Sequence, residues 1–164
     1  MHINLTSVYL LSVIVCSFLL STVSSFSANH ALQEDLYRIY EEYESAIVRV
    51  KAAFRQQETE DKPSKINLRI GTGFFVSREG HVLVNASRAL GAYKIGIEYK
   101  GIVYPAEPVG HDPVTNISLL RLINTPKAFG VIPLTFEERD IALGTFVFSL
   151  ACPLDFDVSP IFGI

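Results

Sequence analysis

The sequence predicts an all-β domain, an antiparallel barrel or sandwich of short strands, preceded by a short N-terminal α-helix. Three observations predict it: an alternation of period two that begins at Ala46, a series of strand-like runs roughly ten residues apart, and turn residues between those runs. From Ala46, Val48, Val50, Ala52 and Phe54 alternate with Arg49, Lys51, Ala53 and Arg55, the pattern of a half-buried strand. Residues 56–65 (QQETEDKPSK) are polar and contain proline, as expected of an exposed loop. Strands are then expected over Ile66–Ser77, His81–Asn85, Tyr93–Tyr99, Val103–Gly110, Ile117–Ile123 and Thr145–Ala151. Arg78-Glu79-Gly80, Lys100-Gly101 and Asp112-Pro113 supply the turns between them.

Two segments precede this region. Val8–Leu20 is apolar but shorter than the about 20 residues needed to cross a bilayer, and small residues follow it through Ala28. That combination predicts a secretory signal over residues 1–27, cleaved after Ser27 or Ser25, although the leading MHINL lacks Lys and Arg and so leaves an uncleaved anchor as the alternative. Val15 before Cys16 argues against a lipidated cysteine. Over residues 28–45 a helix is expected, because Leu32, Leu36, Ile39, Tyr40 and Tyr43 recur three or four residues apart, with acidic residues in the first turn.

Composition bounds the function. The 164 residues are 49% hydrophobic and 19% charged, too charged for a polytopic membrane protein and too apolar for a disordered chain. With 14 Lys+Arg against 17 Asp+Glu there is no basic block to grip nucleic acid. Two cysteines build neither a disulfide framework nor a four-cysteine zinc site, and once the leader is removed Cys152 has no partner. No cofactor or metal is expected.

Local motifs carry the reading further. Gly71-Thr72-Gly73-Phe74-Phe75, the Gly80 turn and the His81-Val82-Leu83-Val84-Asn85 strand resemble the opening hairpin of the HtrA/DegP-type trypsin-like serine proteases, where Gly-Ser-Gly-Phe leads through a glycine turn to a strand ending in Thr-Asn. Asp112-Pro113 and Asn116-Ile117-Ser118-Leu119-Leu120 are similar to that family's Asp-Pro and Asp-Ile-Ala-Leu-Leu segment. Leu143-Gly144-Thr145-Phe146-Val147 and Cys152-Pro153 resemble the start of its second barrel. The resemblance covers Ala46–Ile164 and implies a trypsin/chymotrypsin-like fold: the first barrel plus the start of the second, an incomplete protease domain over residues 46–164.

It also implies a catalytic triad, from which the sequence departs. Ser87 stands at the histidine position and Asn116 at the aspartate position, and the Gly-Asn-Ser-Gly-Gly loop with the nucleophile does not occur. A serine hydroxyl needs a base that titrates near neutral pH, which Ser87 cannot be. Asn116 can accept a hydrogen bond but supplies no charge to stabilise an imidazolium. His30, His81 and His111 are expected to be solvated turn or strand-end residues, and none shows metal-ligand spacing. Ala151-Cys152-Pro153 offers no local histidine to lower a thiol pKa, so Cys152 is expected to be a small buried hydrophobe. Asn85-Ala86-Ser87 and Asn116-Ile117-Ser118 fit the N-glycosylation pattern.

The expected protein is therefore an exported, periplasmic or secreted, catalytically inactive binding module. The alternatives are a truncated protease gene product or half of an assembled protease. Exposure of Phe146, Phe148, Phe156, Ile161 and Phe162 at the second-barrel start would favour a protein partner or self-association.

Overall fold

A computed structural model describes residues 30, 32–56, 65–134, 141–153 and 156–163. The segment expected to be a leader, residues 1–27, lies outside them, as do residues 57–64 of the polar loop. The chain divides into two units, Met1–Ile39 and Tyr40–Ile164. Helix α1 covers residues 32–43, its stripe of Leu36, Ile39, Tyr40 and Tyr43 half-buried. In the first unit His30 pairs with Glu34 and Arg38 with Asp35, both at the helix surface. Among the described residues no helix is long and apolar enough to cross a membrane.

In the second unit a 3-10 turn at Glu44–Ala46 leads into six antiparallel strands: β1 (Ile47–Gln56), β2 (Lys65–Phe75), β3 (His81–Asn85), β4 (Lys94–Tyr99), β5 (Ile102–Asp112) and β6 (Ile117–Leu122). They close in the order β1-β2-β3-β6-β5-β4. The barrel resolves the choice between barrel and sandwich. Closure removes the sheet edges that an open six-stranded sheet would leave unpaired. A two-stranded ribbon follows, β7 (Val147–Ala151) against β8 (Ser159–Gly163).

The alternation read in β1 is what fills the barrel. Val48, Val50 and Ala52 point inward and are buried, meeting Phe75, Val82, Ile97, Leu120 and Leu122 from the other strands. Phe75 is fully buried, with Tyr99 edge-on at 5.9 Å and the ring of Phe129 at 4.2 Å between centroids. The connector that carries Phe129 is tied down by Ile132 N–H to the Phe75 carbonyl and by Gly130 N–H to the Ser45 carbonyl.

Turn chemistry fixes the register. Lys100 and Gly101 both have positive φ, 48° and 77°, so Tyr99 and Ile102 are joined by a two-residue loop whose twist matches the flanking strands. Between β5 and β6, Asp112 Oδ1 accepts from Val114 N–H at 2.9 Å and its Oδ2 from the Thr115 hydroxyl at 2.7 Å. The Thr115 hydroxyl, then the Val114 amide, hold the Asp112 carboxyl below its ordinary value. That braced turn delivers Asn116 in the left-handed region at φ 58°, which asparagine tolerates better than most residues.

Strand limits differ from expectation in detail. β5 runs on to Asp112 past a bulge between Pro108 and Gly110, β7 starts at Val147 rather than Thr145, and β8 was not expected at all. A single helical turn, α2 (Ala86–Ala89), stands between β3 and β4, where the sequence named no element.

Candidate functional site

α2 follows β3 directly, and its carrier residues are small: Ala86 and Ala89 are buried while Ser87 and Arg88 are exposed. The braced turn before β6 brings Asn116 alongside. Ala86 N–H donates to the Asn116 carbonyl at 2.9 Å, and Ser87 N–H donates to Asn116 Oδ1 at 2.8 Å. The two residues picked out by motif position therefore meet, through the backbone of one and the side chain of the other. Arg69 on β2 completes the surround, its guanidinium donating to the Ser87 carbonyl at 3.0 Å and lying 4.2 Å from the centre of the Phe54 ring.

Two histidines depart from expectation. Ser77 Oγ and His81 Nδ1 are 2.7 Å apart across the Arg78-Glu79-Gly80 turn, and His111 Nδ1 and Ser118 Oγ are 2.6 Å apart across β5 and β6. Both rings are half-buried, not solvated, and Ser118 is fully buried. The physical reason is register: His111 and Ser118 are direct cross-strand partners, and the turn folds His81 back onto Ser77.

Neither imidazole is ion-paired to a carboxylate among the described residues. At the first, the Ser77 hydroxyl, with a smaller pull from His81, holds the Glu79 carboxyl below its ordinary value, and no carboxylate lies in ion-pair range of His81 among the described residues. At the second, no carboxylate lies in ion-pair range of His111 among the described residues, where His30 with Glu34 is the histidine so paired. Among these residues no three His, Cys, Asp or Glu side chains gather where they could hold a metal ion.

Cys152 is buried, as expected, and its N–H donates to Thr72 Oγ1 at 2.9 Å. Burial pushes its thiol up, against a smaller opposing pull from Arg49, so the sulfur is protonated at neutral pH. It closes a small recess lined by Arg49, Glu98, Tyr99 and Asp157. The recess adjoins a cleft of about 330 Å³ along Tyr40, Glu44, Tyr99, Lys100 and Val158, and neither includes Ser87 or Asn116.

Arg49 is a residue the alternation placed on a solvated face. It is only 11% exposed, because the chain after β7 covers it: its guanidinium donates to the Phe156 carbonyl and to Glu98 at 3.2 Å. Lys51 Nζ lies 2.5 Å from the other Glu98 oxygen. These cations, Lys51 first, hold the Glu98 carboxyl below its ordinary value. The stabilisation this represents is complete above the unfolded glutamate pKa of about 4.3 and is lost as pH falls through the lower folded value. Glu98→Gln is therefore expected to lower the unfolding free energy at pH 7, read from urea titrations, by roughly 1–2 kcal/mol, a deficit that shrinks by pH 3. An equal deficit at both pH values would exclude the ion pairs as its source.

Phe146, Phe156 and Ile161 are 55%, 67% and 46% exposed, as expected, but Phe148 is half-buried, and the side chain of Phe162 lies outside the described residues. The guanidinium of Arg69, the cross-strand histidine–serine contacts and the cover over Arg49 all escaped the sequence reading; only the Ser77–His81 spacing across a glycine turn offered a local signal for any of them.

Comparison with known proteins agrees with this architecture. Residues 71–162, more than half of the chain, match the family model described as a trypsin-like peptidase domain. No curated protein matches the chain.

Proposed function

Because the chain belongs to the trypsin-like peptidase domain family, we propose that it is a catalytically inactive, HtrA-like member that works after export as a binding or scaffolding module in the cell envelope. The observation that carries this reading is the 2.8 Å contact from Ser87 N–H to Asn116 Oδ1. The turn and helix that would hold a base against its orienting group are kept, while the side chains on them cannot transfer a proton. In a serine protease that retains its histidine, an aspartate-to-asparagine change in the triad already costs about 10⁴ in turnover. Here the imidazole is replaced as well.

Binding is supported from a second direction. β7 and β8 form a ribbon with neither outer edge paired to another strand among the described residues, flanked by the exposed rings of Phe146 and Phe156. Open strand edges beside apolar surface favour association with a protein partner or a second copy.

A fluorophosphonate probe tests the inactive state. No labelling of this chain is expected, alone or in complex, and labelling of it would overturn the reading. Labelling confined to a partner would instead favour an assembled enzyme. Light scattering on the purified protein tests association: a mass above the monomer, or capture in a stable complex, is expected, and a monodisperse isolated monomer counts against it.

A further inference from the structure

The ribbon formed by β1 and β2 extends past the closed part of the barrel. β2 pairs with β1 from Lys65 to Phe74 but with β3 only over Gly73–Phe75. Among the described residues no strand pairs with the β3 side of Lys65–Thr72. That stretch offers unpaired N–H and C=O groups, the template on which an extended peptide adds.

Charge marks the same place. Lys65, Arg69 and Gly71 share one face of β2 by strand alternation, and Arg88 from α2 lies across Gly71, where a Cβ would meet its Cγ at 3.0 Å. Phe54 supports the Arg69 guanidinium from below. Lys65, Arg69 and Arg88 are exposed, and none pairs with a carboxylate among the described residues, whereas Arg49 and Lys51 of the same barrel share Glu98. On the opposite face Ile66 and Leu68 are 61% and 54% exposed.

We infer that this β2 edge binds an extended peptide in which acidic and apolar residues alternate, its acidic side chains against Lys65, Arg69 and Arg88 and its apolar ones beside Ile66 and Leu68. A second copy of the edge is disfavoured, since it would bring like charges together. Nucleic acid would use the cations but neither the strand edge nor the apolar face. The inference rests on the reading of this chain as a binding module and names the chemistry of its partner.

The test is fluorescence anisotropy of a dye-labelled peptide of alternating glutamate and valine, titrated with the full chain. Saturable binding is expected, weakened about tenfold or more in the R69Q/R88Q double variant, as expected for loss of complementary charge, and restored in part by R69K/R88K. Methylating alternate backbone amides of the peptide abolishes binding if the strand edge is used. Absence of binding, equal binding by R69Q/R88Q with an unchanged melting curve, or equal binding of a single-stranded oligonucleotide would each overturn the inference. None of these outcomes bears on fluorophosphonate labelling, which alone decides the inactive state.

Discussion

Phe75→Ala is expected to destabilise the barrel by about 3–5 kcal/mol, the range for removing a fully buried aromatic side chain. Phe75 has no exposed surface, and its ring is clasped between Tyr99 and Phe129, one from the barrel wall and the other from the connector. Truncation would leave a void that two separate segments border, and neither can collapse without breaking its own backbone ties, such as the Ile132 N–H to Phe75 carbonyl bond. Domains of this size hold only about 5–15 kcal/mol in total, so the variant should shift the urea midpoint strongly or fail to fold. Ile102→Ala, at a position 58% exposed, is the matched control and should change stability by no more than about 0.5 kcal/mol. Equal effects of the two changes would remove Phe75 from the centre of the core.

Gly73→Ala is the second large effect, and its cause is the opposite one. A Cβ at Gly73 would lie 2.8 Å from the Leu83 carbonyl oxygen and 2.9 Å from both Val50 Cγ2 and Val82 Cγ1. The oxygen belongs to the strand paired with β2, and the two valines are core residues, so none of the three has room to yield. Overpacking of this kind costs about 1–3 kcal/mol, and the upper end is expected here. Gly110→Ala, where nothing lies within 4 Å of the added carbon, should be nearly neutral. Thermal melts of the two variants check this: a Gly73→Ala protein as stable as Gly110→Ala would mean that β2 and β3 can separate without loss.

Much of the fold was legible in the sequence because its signals are local. The alternation from Val48 to Phe54 named the inward face of β1, and Lys100-Gly101 named a tight turn, in which Gly101 takes its positive φ freely while Lys100 takes one that lysine seldom adopts. β8 was illegible for an equally local reason. Pro160 cannot donate to a ladder, which demotes a strand reading, yet an outer strand tolerates it. α2 is too short for a helical period to register.

At the candidate site, motif position brought Ser87 and Asn116 forward, and the structure sets them in contact. Register hid the rest: His111 meets Ser118 because the braced Asp112 turn pairs Asp112 with Ile117 and so sets the next residues opposite one another. Arg49 shows the limit of alternation. Periodicity tells which way a side chain points, not what later folds over it.

Polar ties hold the segment around the β7–β8 ribbon: Arg49 of β1 donates to the Phe156 carbonyl, Cys152 N–H donates to Thr72 Oγ1 of β2, and the Tyr40 hydroxyl of α1 donates to the Val158 carbonyl at 3.2 Å. A closed barrel and a separate two-stranded sheet need not denature in one cooperative step. A spectroscopic signal from the two-stranded sheet would then report its own transition, and only a signal from the barrel interior would measure the stability of the whole.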